Sequence, residues 1–310
     1  MPMESVSDPL AEDNGSIIGR GFGMTNGKIY EAGWTLDDVE WARFDPKKVD
    51  ATLLAAVKTA SLVEYNAPDY VAYLKRVYRG APESIVRGIE HWGDEETQHG
   101  LALGRWVEMA DPSFDFDDAF ARFRNLYRPA HFVSGQGSVR GSRRGEMITR
   151  CVVESGTSSV YSAIRDASHE PVLKEVAGRI AADEFRHYRL FYDILQAETE
   201  TDLPTWRKLW IAAGRVNETD DDEISCAYYC ANVLAAEAEA KPYSRRIYAR
   251  AYQETLMAFY HRHHVDRMVK MVMKPAGIDP SGKLSRIASA LVWRLLRARS
   301  GAADARLNPA

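Results

Sequence analysis

The sequence predicts an all-α protein, and three observations carry that expectation. From Asp50 onward apolar residues recur at steps of three and four, the spacing of one helical face. Strand-like alternation of apolar and polar residues between turn signals is missing. Pro82 and Pro171 each stand where the first turn of a helix tolerates proline. With 310 residues, 45% hydrophobic and 27% charged, the chain can bury a substantial core, which excludes wholesale disorder and fibrous repeats.

Taken in order, residues 1–45 are rich in Gly, Asn and Asp and read as an irregular N-terminal arm. Its GRGFGMTNG stretch follows no strand pattern and opens no helix with Lys-Ser/Thr, so it is not a phosphate loop. Residues 46–200 hold four long amphipathic segments. The first, 48–79, carries Leu54, Val57, Ser61, Glu64, Pro68 and Val71 on one stripe. The second, 82–109, aligns Ile85, Ile89, Trp92, Glu96, His99, Leu103 and Trp106. A Gly/Ser/Arg loop precedes the third, 145–168, whose stripe runs through Met147, Cys151, Glu154, Thr157 or Ser158, Tyr161 and Ile164. The fourth, 171–197, aligns Val176, Ile180, Glu184, His187, Phe191 and Ile194. Residues 201–310 predict further helices over 203–216, 222–240, 242–273 and 282–299, packed on the first four.

Charge is uneven. The whole chain has a net charge of −4, yet residues 241–310 carry 14 Lys and Arg against four acids. A basic C-terminal region on an acidic body suits an acidic partner, although basic faces are more often simply solvated. No apolar run approaches the roughly 20 residues that span a bilayer, and no signal peptide is visible. Three cysteines cannot complete a disulfide framework, so a cytoplasmic address is expected, with neither a nucleic-acid partner nor a transmembrane segment.

Chemistry enters through ionisable residues on apolar stripes, where Glu and His rarely go unless paired or metal-bound. The first half of the pattern is Glu64, then Glu96 and His99; the second is Glu154, then Glu184 and His187. Each half is one helix giving a Glu and a later helix giving Glu-x-x-His, whose members share a face. About half of one Glu-x-x-His pair is expected by chance in such a chain, so the repeated order with a lone inward Glu upstream of each carries the weight. This is the ligand set of di-metal carboxylate bundles. Four buried carboxylates repel one another unless two divalent cations cancel them, and mixed carboxylate and imidazole donors suit iron or manganese. Two weaker clusters read as packing or solvation: His261, His263 and His264, with no third ligand evident for His261 and His264, and the buried-type Cys226 and Cys230.

Four segments resemble the soluble acyl-acyl-carrier-protein desaturases of the ferritin-like di-iron group. They are Glu64-x-x-x-Pro68-x-Tyr70, Glu95-Glu96-x-x-His99-Gly100, Glu154-x-x-Thr157, and Ile180-Ala181-Ala182-Asp183-Glu184-x-Arg186-His187. The likeness covers about 55–195 and fades beyond 200. It implies a ferritin-like four-helix bundle with additional C-terminal helices, two iron ions cycling between ferrous and ferric forms (manganese being the alternative in one position), and a homodimer. It implies oxygen-dependent removal of two hydrogens from an acyl chain on an acyl-carrier protein, with a ferredoxin-type electron donor. Asp183 and Glu95 would orient the ligand histidines. Thr157 stands beside the oxygen-binding face and would relay protons, or else bonds a carbonyl one turn back. Met147, Tyr161, Leu190, Phe191 and residues 227–229 would line the acyl tunnel or be plain core. The family's Arg before the first ligand His is replaced by Gln98, and its Trp partner is Trp34 or Trp41. Related outcomes share the centre: hydroxylation or N-oxygenation, the radical- or cross-link-storing small subunit of ribonucleotide reductase and its ligand-binding oxidase relatives, with Tyr65, Tyr70 or Tyr161 as the stored site, and ferritin-type iron binding without turnover.

Overall fold

A computed structural model describes residues 33–129, 137–217, 222–234 and 242–307, and among these there is no strand, so the protein is all-α. The glycine-rich stretch 19–27, the rest of 1–32 and residues 235–240 of the expected 222–240 helix lie outside the described residues. Residues 33–50 form three short 3₁₀ turns, after which come α1 (Ala51–Tyr65), α2 (Ala67–Val77), α3 (Glu83–Ala110) and α4 (Phe116–Leu126). These are followed by α5 (Arg143–Ala167), α6 (Pro171–Ala197), α7 (Thr205–Asn217) and α8 (Asp222–Tyr229), which continues as a π turn over Cys230–Leu234. The chain then forms α9 (Arg245–Met257), α10 (Arg262–Met273) and α11 (Lys283–Leu307).

Three boundaries differ from expectation for local reasons. The segment 48–79 is two helices, because Pro68 lies in the first turn of α2 and lacks the N–H that would continue α1. The segment 242–273 also breaks. Its second half starts at His261, whose backbone N–H donates to His264 Nδ1 at 3.1 Å, a local cap that begins α10 afresh. Helix α4 was not anticipated. Its signal was present in Asp115, whose side chain accepts from the Asp118 N–H, followed by Phe116, Ala119 and Phe123 on one buried face.

Packing explains where the polar stripe residues go. Helix α1 packs on α3, α5 on α6, and α3 on α6, while α7 and α10 lie on α5 and α8 lies on α1. Two apolar clusters fill the interior. Along α3 the chain leaves the cluster of Ile85, Ile89 and Trp92, passes Glu96 and His99, and enters the cluster of Leu103 and Trp106. Helix α5 runs in the same sense, from Met147 and Cys151 past Glu154 to Tyr161 and Ile164. Helix α6 runs oppositely, from Val176 and Ile180 past Glu184 to Phe191 and Ile194. The polar residues are therefore one layer between two apolar ones, held at fixed height by the packing on either side.

Close approach of α1 and α3 depends on Gly100. A Cβ there would stand 2.6 Å from the Tyr65 backbone nitrogen and 2.7 Å from its Cα, so the helix backbones would have to part. Gly100→Ala is expected to cost about 1–3 kcal/mol, read as a lower midpoint in chemical unfolding. Because His99 and Glu64 are the neighbouring residues, metal retention should fall with it. An unchanged midpoint would show that the helices do not meet so closely.

Candidate metal centre

Each candidate ligand is delivered by a separate piece of helix. Glu64 comes from the last turn of α1, Glu96 and His99 from the middle of α3, Glu154 from α5, and Glu184 and His187 from α6. All six are buried, with His99 and Glu184 at 0% exposure. The structure brings them into two groups whose donor atoms lie within 4.8 Å of one another: Glu64, Glu96, His99 and Glu184, and Glu96, Glu154, Glu184 and His187. Glu96 and Glu184 belong to both. Glu184 sets Oε1 3.4 Å from His99 Nδ1 and Oε2 3.5 Å from His187 Nδ1. Glu96 sets Oε2 3.8 Å from His99 Nδ1 and Oε1 3.1 Å from His187 Nδ1. Donors about 2.1 Å from a common ion at right angles stand about 3 Å apart, so these separations suit metal ligation.

The donor set fits two divalent ions by a second criterion. His99 Nδ1, His187 Nδ1, Glu154 Oε1 and Glu184 Oε1 are buried and make no hydrogen bond. Such atoms are costly without a partner. The far ring nitrogens are engaged: His99 Nε2 lies 3.0 Å from Asp183 Oδ2, and His187 Nε2 lies 3.0 Å from Glu95 Oε2. With the Nε2–H groups donating to these carboxylates, both Nδ1 atoms face the centre, where an ion would displace a proton and take their lone pairs.

Electrostatics point the same way. Burial, reinforced by Glu96 and Glu184, pushes the Glu64 carboxyl well above the usual range. Burial, with Glu184 and Glu96, does the same to Glu154. Burial alone would depress both imidazoles, yet Asp183, Glu184 and Glu96 lift His99 well above the usual range, and Glu184, Glu95 and Glu96 lift His187. Two dications would balance four carboxylates in this space.

A second layer ties the centre to the surface. Arg186 donates through Nη2 to Glu95 at 2.8 Å and through Nη1 to Asp183 at 2.5 Å. Trp34 Nε1 donates to Asp183 Oδ2 at 2.7 Å, whereas Trp41 Nε1 is engaged by the Leu36 carbonyl, so the tryptophan joined to this network is Trp34. Gln98 donates to the Trp34 carbonyl at 2.9 Å, holding the indole in place although it carries no charge. Thr157 Oγ1 lies 2.9 Å from Glu184 Oε2, and 3.3 and 3.2 Å from the carbonyls of Val153 and Glu154. Both of its expected partners are within reach of its single proton.

No family model matches the chain, and no curated protein matches it in sequence.

For the side chains expected to line a tunnel or to be plain core, the packing gives core. Met147, Leu190 and Phe191 are packed in the apolar core. Tyr161 is also core, but its hydroxyl donates to Glu64 Oε1 at 2.5 Å. The cavity beside the centre, about 110 Å³, is bounded by Glu64, Glu96, Glu154 and Thr157 on one side and by Tyr70, Trp92, Arg150, Arg215 and Glu223 on others. Neither Arg150 nor Glu223 was anticipated. Arg150 lies one turn before Glu154, where a buried cation on an apolar stripe was the available signal. Glu223, 3% exposed, accepts from Tyr70 and Asn66; nothing in the local pattern marked it as buried.

The histidine cluster has a neighbour the sequence did not reveal, since Asp166 groups with His263 and His264. His264 Nδ1 accepts the His261 N–H, so the neutral ring carries its proton on Nε2, which faces Asp166 Oδ2 at 3.1 Å. Both nitrogens are thereby used in capping and pairing. Cys226 and Cys230 are buried and unbridged, as packing residues.

Proposed function

We propose that the chain is an oxygen-dependent non-haem di-iron oxidoreductase that removes hydrogen from a C–H bond of its substrate. The observation that carries this is the sharing of Glu96 and Glu184 between two buried Glu/His groups, each group completed by a carboxylate of its own. The parallel sense of α3 and α5, joined across the length of the bundle by the connection bearing α4, supports the ferritin-like arrangement, which needs one long crossover. Iron in such a site supplies two-electron activation of dioxygen.

The protein's residues prepare that chemistry. Asp183 and Glu95 fix the imidazole tautomers and orient both rings. Thr157 places a hydroxyl proton against Glu184 Oε2, on the wall of the adjoining cavity. The two apolar clusters exclude water from above and below. Trp34, Asp183 and His99 form a continuous hydrogen-bonded path leading to the centre, suited to carrying an electron from a separate donor.

The desaturase resemblance extends this to a carrier-bound acyl chain, a ferredoxin-type donor and a homodimer. A groove of about 420 Å³ between α10 and α11 is lined by Arg262, Lys270 and Arg286 against one acid, Asp266, which pairs with Arg262; the net positive lining supports an anionic partner of that kind. Among the described residues no helix is long and apolar enough to cross a membrane.

The first test is anaerobic reconstitution of the purified chain with ferrous iron, for which about two ions per chain are expected. Oxygen and reductant are then supplied with substrate: a product two hydrogens lighter means desaturation, one oxygen heavier means hydroxylation. Thr157→Val should keep both ions yet lower product formed per oxygen consumed, whereas Thr157→Ser should restore it. Equal coupling in wild type and Thr157→Val would leave the hydroxyl a backbone-bonding role alone. Tyr161 favours one second reading, a centre that oxidises its own tyrosine. A tyrosyl radical signal after oxygen exposure, lost in Tyr161→Phe, would establish it.

A further inference from the structure

Arg150 is 6% exposed, and a guanidinium so deeply placed is expensive unless its charge and donors are met. Here they are not. Among the described residues its ion-pair partner is Glu146, with Nε 3.9 Å from Oε1, and Nε makes no hydrogen bond. Glu146 is itself engaged, since Tyr73 and Ser138 each donate to its Oε2 at 2.7 Å. The guanidinium lies over the Tyr70 ring, 5.0 Å from its centroid, a contact that occupies a face and leaves Nε–H without an acceptor. Arg150 and Tyr70 both line the cavity that Glu154 and Thr157 bound from the metal side.

We propose that this cavity binds the carboxylate of a compact free carboxylic acid, with Arg150 as the residue that seats it. The proposal rests on the oxygen-activating reading only for what happens to the acid, and it departs from a carrier-bound thioester, which presents no carboxylate there. Two features set the substrate class. The cavity is about 110 Å³, smaller than the ~150 Å³ that takes a benzene-sized group, so it suits a short chain or at most a single ring. Residues one helical turn apart have Cβ atoms about 5–6 Å apart, so an acid held on Arg150 presents a C–H bond only a few bonds from its carboxylate to the side of the centre at Glu154 and Thr157. Arg150 thus positions the substrate and chooses the carbon.

The test is calorimetric titration of the anaerobic, ferrous-loaded full chain with a panel of aromatic and short aliphatic carboxylic acids, benzoate to octanoate, each against its uncharged amide. At least one acid should bind and its amide should not. Arg150→Gln should weaken that acid at least about thirtyfold with iron content unchanged, because removing one partner of a buried charge pair is costly. Arg150→Lys, which keeps the charge and loses the two-pronged donor, should lose about tenfold and also serves if the glutamine variant does not fold. No binding by any acid, equal binding of acid and amide, or an acid that binds Arg150→Gln as tightly as wild type would each overturn the proposal. The last outcome would mean the acid sits on iron. A lower unfolding midpoint for Arg150→Gln with unchanged acid affinity would reduce Arg150 to balancing Glu146. Iron counting separates the two readings: a chain that takes up no iron fails as an oxidase, whereas one that takes up two and ignores every acid fails only here.

Discussion

Glu184→Ala is expected to strip the chain of both metal ions, whereas His99→Ala should leave one. This asymmetry follows from the positions of the two carboxylates common to both groups. Glu184 directs Oε1 toward His99 and Oε2 toward His187, so its removal takes a donor from each ion. Glu96 is placed in the same way and its alanine variant should behave alike. His99 and Glu64 belong to one group only, and their loss leaves Glu96, Glu154, Glu184 and His187 intact. The check is iron per chain after anaerobic loading and gel filtration, in parallel with the unfolding midpoint with and without iron. Iron should raise the wild-type midpoint, since an ion that binds only the folded chain stabilises it, and should leave Glu184→Ala unchanged. If all six single variants lost iron equally, or Glu184→Ala kept one ion, the sharing of carboxylates would be wrong.

The second large effect crosses the two halves of the sequence. Asp183 is the neighbour of Glu184, yet it holds His99; Glu95 is the neighbour of Glu96, yet it holds His187. Asp183→Ala should therefore weaken the ion on the His99 side about 10–100-fold, and Glu95→Ala the ion on the His187 side by a similar factor. The cause is the same in each case: a buried Nε2–H loses its acceptor, and the ring is freed to turn. Competition with a calibrated chelator, following the two ions as separate steps, distinguishes the variants. Combining Asp183→Ala with His99→Ala should add little, since both act on one ion. Weakening of the opposite ion, or of neither, would break the cross-bracing.

The sequence made the candidate ligands legible because helical periodicity is strong over long segments, and an acid or histidine on an apolar stripe conflicts with it. Glu64, Glu96, His99, Glu154, Glu184 and His187 all stood out in this way, and the structure gathers all six. Trp34 could not be separated from Trp41, because an irregular segment has no period to fix which indole turns inward. Arg150 and Glu223 were missed because their neighbours come from other helices. Arg150 acquires meaning from Tyr70 beneath its guanidinium, and Glu223 from Tyr70 and Asn66. The break at Pro68 and the start of α4 at Asp115 were local signals read too coarsely.

What the sequence alone determined is the all-α class, the long helices, and which side chains each must turn inward, since these depend on spacing within one segment. The pairing of carboxylates across the centre was left to tertiary structure. Read along the chain, Glu64, Glu96 and His99 make one site and Glu154, Glu184 and His187 another. In the fold, α3 and α6 face each other and interleave their Glu-x-x-His pairs, so two carboxylates serve both sites and each acid braces the other half's histidine. Contacts between residues far apart in sequence, such as Asp183 with His99 at 84 positions, are set by how helices pack, which no local period encodes.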